Sequence, residues 1–123
     1  MSEKQEQPKN LPWIFICSGA SNVGQATNAA CVELYREGKA RLGCIAAIGA
    51  HVESFIKPNQ SSERKVICID GCGTRCASKT LEKAEINPAV CIVVTDLGIK
   101  KNMEMVYGDE DVKTVKKQIE KEL

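Results

Sequence analysis

Seven of the 123 residues are cysteine, and three of them fall in the run Cys68-Ile-Asp-Gly-Cys72-Gly-Thr-Arg-Cys76. Thiols gather in a chain to form disulfides, to do redox chemistry or to bind a metal. An odd cysteine count and the absence of an export signal argue against a secreted disulfide framework. The expected compartment is therefore a reducing cytoplasm, where clustered thiols serve metal binding or catalysis. Cys72 and Cys76 are four apart, so on a helix they share one face and can chelate one ion. The other donors have to come from other loops. Cys17 is the nearest candidate. Cys44 is the best fourth, since it follows Gly43 and opens an apolar segment just after the basic stretch Arg36-Glu-Gly-Lys-Ala-Arg41. Four thiolates suit tetrahedral zinc with Zn–S near about 2.3 Å, and the centre then carries a net charge of about −2. Arg75, Lys79 and Arg41 are placed along the chain to offset that charge.

Elements must bring these sulfurs together. Trp13-Ile-Phe-Ile-Cys17 is a short apolar run after Pro12 and reads as a strand buried on both faces. After the turn residues 18–22, a helix is predicted to about Gly38, with Val23, Ala26, Ala30 and Leu34 inward and Gly38 as its stop. Residues 42–56 have nearly helical apolar spacing, with a buried strand across 44–47 as the alternative; residues 57–63 read as a loop. A second buried strand is expected at 65–69 and a turn at 70–74. A helix should follow at 75–85, with Cys76, Leu81 and Ala84 inward. A third strand is expected at 89–94, a short edge strand at 103–107, and a closing helix at 109–123. Acids at Asp109, Glu110 and Asp111 and lysines at its other end suit that helix's dipole.

Strands without polar alternation, separated by helices, imply a parallel sheet covered on both faces. The expected fold is a single three-layer α/β domain over residues 12–123, with a small, mostly parallel sheet of three to four strands and helices on both faces. Residues 1–11 read as a flexible polar leader. In such sheets ligands sit at the carboxyl ends of the strands. Cys17 ends the first strand, and Cys72 and Cys76 follow the second. Backbone N–H groups and the positive end of a helix favour thiolates in such loops.

Gly19-Ala-Ser-Asn-Val-Gly24 has the frame of a phosphate loop, but Gln25 and Ala26 replace the Lys and Ser/Thr that hold phosphate and Mg²⁺. Its glycines are expected to let the backbone wrap the site closely. Asp70 is expected to hold its loop through backbone N–H groups. Cys31 and Cys91 read as inert core thiols. Cys68 and His51 are placed outside the ligand set. A net charge of +1 and 4% aromatic residues exclude a nucleic-acid or anionic-membrane surface. No apolar stretch approaches the roughly 18 residues of a membrane span.

Four motifs in order carry a family resemblance: Cys17-Ser-Gly-Ala-Ser-Asn-Val-Gly-Gln25, the lone Cys44, Ile69-Asp-Gly-Cys72 with Cys76, and Thr95-Asp-Leu-Gly-Ile-Lys100. Over roughly residues 13–120 the chain resembles the DGC-domain proteins, a mostly prokaryotic family named for its Asp-Gly-Cys motif. The resemblance implies metal binding through four cysteines, here Cys17, Cys44, Cys72 and Cys76; Cys68 departs from the usual pattern. The expected function is thus a zinc-binding protein with a structural, sensory or metal-handling role, since a closed four-cysteine site leaves no position for a catalytic water. Two alternatives use the same sulfurs. One is a thiol redox enzyme or sensor with Cys72 or Cys76 attacking and Cys17 resolving, and the other is an iron–sulfur protein.

Overall fold

Trp13–Ile16 forms β1, and its apolar side chains are buried on both sides because each face of the sheet carries helices. The computed structural model describes residues 10–123, so most of the expected leader lies outside the described residues. Arg41–Leu42 is β2, Val66–Asp70 is β3 and Val90–Val93 is β4. They form one sheet in the order β2-β1-β3-β4, and every neighbouring pair is parallel.

One face is covered by α1 (Asn22–Arg36) and α5 (Asp109–Glu120). There Val23, Ala26, Ala30 and Leu34 of α1 and Val112, Val115 and Ile119 of α5 meet Ile14, Ile16, Ile67 and Ile69 of the sheet. The other face is covered by α2 (Ile45–Gly49), α3 (Glu53–Asn59) and α4 (Cys76–Lys83). Ile48, Ile56, Ala77 and Leu81 pack there on Phe15, Val66 and Cys68. The result is the expected three-layer α/β arrangement. Each fully buried isoleucine or leucine is worth about 1.5–3 kcal/mol over an exposed one, so both layers are held by apolar burial.

The ends of α1 follow from local chemistry. Ser21 Oγ accepts from Gly24 N at 3.2 Å and satisfies a free N–H of the first turn. At the other end Gly38 takes a left-handed φ of 74°, and its N–H and that of Lys39 donate back to Tyr35 O and Leu34 O. This double closure stops the helix at the expected glycine.

Several expectations need correction. Residues 42–56 hold neither one helix nor a strand at 44–47. The strand is two residues long and earlier, and the helix is split into α2 and α3 around His51, whose φ of 59° is left-handed. The predicted loop from residue 57 starts later, because α3 runs to Asn59 with Pro58 in its last turn. Residues 103–107 form no strand, and Met103, Met105, Val106 and Tyr107 are exposed. Cys91 is exposed on β4 instead of packed in the core, because an edge strand is covered incompletely. Cys76 is exposed too, and Ala77 takes the inward position on α4.

Candidate functional site

Parallel strands put their carboxyl ends on one rim. β2, β1 and β3 are consecutive in the sheet, and each of their following loops carries a cysteine: Cys44, Cys17 and Cys72. Neighbouring strands lie about 4.8 Å apart. Cys76 reaches the same rim as the first residue of α4.

Cys17 is tied to the centre of the sheet. Its N–H donates to Ile69 O at 3.2 Å, and its Sγ accepts from Gly71 N at 3.2 Å. Close glycine contacts bring these loops together. A Cβ on Gly24 would lie 2.5 Å from Gly19 O, and one on Gly71 would lie 3.0 Å from Gly24 N. The glycine frame that resembles a phosphate loop is therefore used for backbone-to-backbone packing beneath the cysteine loops.

Asp70 organises the central motif. It is 2% exposed, and its Oδ1 accepts from Ala77 N at 2.8 Å while Oδ2 accepts from Ser78 N at 3.2 Å. It thus caps α4 from the end of β3, as expected of an aspartate that binds backbone N–H groups. Arg75, just before the helix, has a left-handed φ of 57°. Because α4 begins only at Cys76, Cys72 lies in the preceding turn. The helical-face argument for the pair therefore does not apply. Arg75 N donates to Cys72 O at 3.1 Å and closes the turn that separates the two cysteines.

Cys17, Cys72 and Cys76 line one cavity of about 360 Å³, together with Asp70, Lys101 and Met103. Cys44 lines a separate cavity of about 310 Å³, beside Gly43, Phe15 and Phe55. It stands at the N-cap of α2, a helix packed on α4, the helix that Cys76 begins. Three of the four expected cysteines thus share a cavity, and the fourth lies on the same rim one strand away. Among the described residues, no group of three His, Cys, Asp or Glu side chains is arranged as it stands to hold an ion. The donor set fits a thiophilic metal in type, because the only carboxylate at the cavity is committed to capping α4 and His51 is exposed elsewhere.

The electrostatics distinguish the thiols. Cys72 is held below its ordinary value, first by the Thr74 backbone N–H, then by the Thr74 hydroxyl and by the Lys101 ammonium. Cys72 Sγ lies 3.6 Å from Thr74 Oγ1 and 3.4 Å from Lys101 Nζ. Cys68 is fully buried, its Sγ 3.7 Å from Asp70 Oδ2. Its thiol is pushed far above the ordinary value, by burial first and then by the Asp70 charge. Of the cations expected to offset the thiolates, Arg75 lines the cavity. Arg41 instead lies over the Trp13 ring at 5.8 Å, at the start of β1, and Lys79 is solvent-exposed on α4. Lys101 and Met103 escaped the sequence reading. The signal for them was the strand-end rule itself, applied to the loop after β4.

A parallel three-layer α/β domain with cysteines on consecutive strand-end loops defines a thiol-bearing class of protein. Within that class the chain belongs to the DGC-domain family, whose family model, described as the DGC domain, matches residues 13–119. It is also similar to the anaerobic and virulence modulator AnvM of Pseudomonas aeruginosa, at 32% identity over 100 residues that cover 81% of this chain and 72% of that protein. No solved structure gives a significant match.

Proposed function

We propose that this chain is a cytoplasmic zinc-binding protein whose ion is held by Cys17, Cys44, Cys72 and Cys76 and serves a structural, sensory or metal-handling role. The observation that carries this reading is the convergence of Cys17, Cys72 and Cys76 on one cavity, with Cys44 on the adjoining strand end. Bound there, the ion would link three loops that the apolar layers leave at the rim. Cys76 and Cys44 are exposed, so their side chains are free to swing toward a shared ion. No helix of the described residues is long and apolar enough to cross a membrane.

Metal analysis of protein purified without oxygen tests the reading. About one zinc per chain is expected, and serine at any of the four positions should lower that content. A Cys44→Ser chain that keeps its full zinc would reduce the ligand set to the three cysteines of the cavity. Brown colour and visible absorbance would replace zinc with an iron–sulfur centre.

A second reading rests on the Cys72 thiol, activated by Thr74 and Lys101 in a cavity that also holds Cys17 and Cys76. In that reading the chain is a thiol redox sensor, in which two of these thiols lose two electrons and two protons to an oxidant and form a disulfide. The name of the relative, an anaerobic modulator, is consistent with such a role. Metal-free protein with a stable Cys72–Cys76 or Cys17 disulfide would favour it over zinc.

A further inference from the structure

Asn22, the first residue of α1, uses its whole side chain on the loop that follows β4. Its Nδ2 donates to Lys100 O at 2.8 Å, and its Oδ1 accepts from Asn102 N at 2.6 Å. Its own N–H donates to Asn102 O at 3.2 Å. Asn22 is 3% exposed, so water competes poorly for these bonds. The loop between residues 100 and 102 is thereby pinned to the helix start, with Lys101 held between the two anchors.

That position has an electrostatic consequence. Lys101 Nζ stands 3.4 Å from Cys72 Sγ, and Lys101 lines the cavity with Cys17 and Cys76. The other ionic groups on the cavity are Arg75, at the start of α4, and Asp70, whose oxygens already accept from two N–H groups of that helix. Four thiolates around a divalent ion leave a net charge of about −2. Arg75 and Lys101 supply two positive charges against it, and Lys101 is the one hydrogen-bonded to a sulfur. A lysine has a long, flexible stem, and restraint of its backbone on both sides lowers the entropy lost in holding that contact.

We propose that Lys101, positioned by the Asn22 clamp, is the counter-cation of the thiolate centre and sets its affinity for a divalent metal. This inference rests on the metal-binding reading and extends it to the loop after β4. Lys101 touches a ligand sulfur and not the ion, so it acts as a positioning and charge-balancing residue.

The test compares Lys101→Gln and Lys101→Arg with the wild type, using zinc competition against a chromophoric chelator at low and high salt. Lys101→Gln should weaken zinc binding by about fivefold, the upper range for an exposed charge pair. Lys101→Arg should stay near the wild type, and the deficit of the glutamine variant should shrink in high salt. Asn22→Ala should weaken binding in the same direction, and the double variant should lose little more than either single one. If Asn22→Ala fails to fold, the two Lys101 variants still decide. A metal-independent arm measures alkylation of Cys72 in reduced apoprotein by anionic iodoacetate and neutral iodoacetamide. The anionic reagent should lose its relative advantage in Lys101→Gln. Equal zinc affinities for the wild type and Lys101→Gln overturn the proposal, as does an unchanged reagent ratio. A wild type that binds no zinc overturns the metal-binding reading instead, and the reagent ratio then decides whether Lys101 faces the thiolate as a cation.

Discussion

Burial separates the thiols of this chain into two populations with different chemistry. Cys31 sits on the buried face of α1 beside Ala30 and Leu34, and its thiol is pushed up to about 12 by burial and then by the nearby Cys17. Cys68 is buried on the opposite face and is shifted upward even further. Both stay neutral and act as small hydrophobes. Cys72 is shifted downward, so its thiolate forms at lower pH than that of an ordinary cysteine. Reduced, metal-free protein treated with iodoacetamide should therefore be labelled first at Cys72, with its rate rising at lower pH than that of an unperturbed thiol. Exposed Cys44, Cys76 and Cys91 should follow, and Cys31 and Cys68 should react only on unfolding. Site-resolved mass spectrometry across a pH series reads the order. Labelling of Cys31 as fast as Cys91 would contradict the packing of α1. The sequence pairs Cys91 with Cys31 as inert core thiols, and exposure on the edge strand moves Cys91 to the reactive group.

Among the elements, the junction between the loops of Cys17 and Cys72 depends on close backbone approach. Gly24 leaves no room for a side chain, since a Cβ would overlap Gly19 backbone atoms at 2.5 to 2.9 Å. Gly71 rests in turn on Gly24 and Val23. Gly24→Ala should cost about 1–3 kcal/mol, as overpacking of rigid backbone does. It should also displace Cys17 relative to Cys72 and lower metal occupancy. Gly73→Ala, with nothing within 4 Å of its Cβ, is the control and should shift stability by no more than about 0.5 kcal/mol. Thermal melts of both variants decide, and equal melting temperatures would remove the glycine junction from the account. The helix start at Cys76 belongs to this scale as well. It is set by the reach of Asp70 across the turn and by the left-handed Arg75. Spacing alone suggested a shared helical face for Cys72 and Cys76, because a four-residue interval does not reveal where a helix begins.

For the molecule as a whole, two apolar layers pack the sheet from both sides without any contribution from the exposed cysteines. Zinc binding worth roughly 10–16 kcal/mol in small peptide domains is mostly folding energy there. In this chain it would be stored instead in the rim loops. Chelation is therefore expected to speed hydrogen exchange in residues 17–21, 71–75 and 100–103 while β3, buried at every position, stays protected. Exchange followed by mass spectrometry after complete metal removal checks this. Amides of β3 that exchange as fast as the loops would show that the ion supports the entire fold. An unchanged loop exchange would show that it supports none of it.

The parallel three-layer fold was legible because its signals are local. Apolar runs at Trp13–Ile16 and Val66–Asp70 lack the polar alternation of a half-exposed strand, and the inward face of α1 follows helical spacing. Strand ends place Cys17, Cys72 and Cys76 on one rim by topology alone. Distances through space are another matter. That Cys44 lines a separate cavity, that Cys91 is uncovered, and that Asn22 brings Lys101 to Cys72 from nearly eighty positions away in sequence all depend on which segments pack together. Hydrophobic periodicity records which side of an element is buried. Partners so far apart along the chain meet only once loop closure and packing have selected a single arrangement.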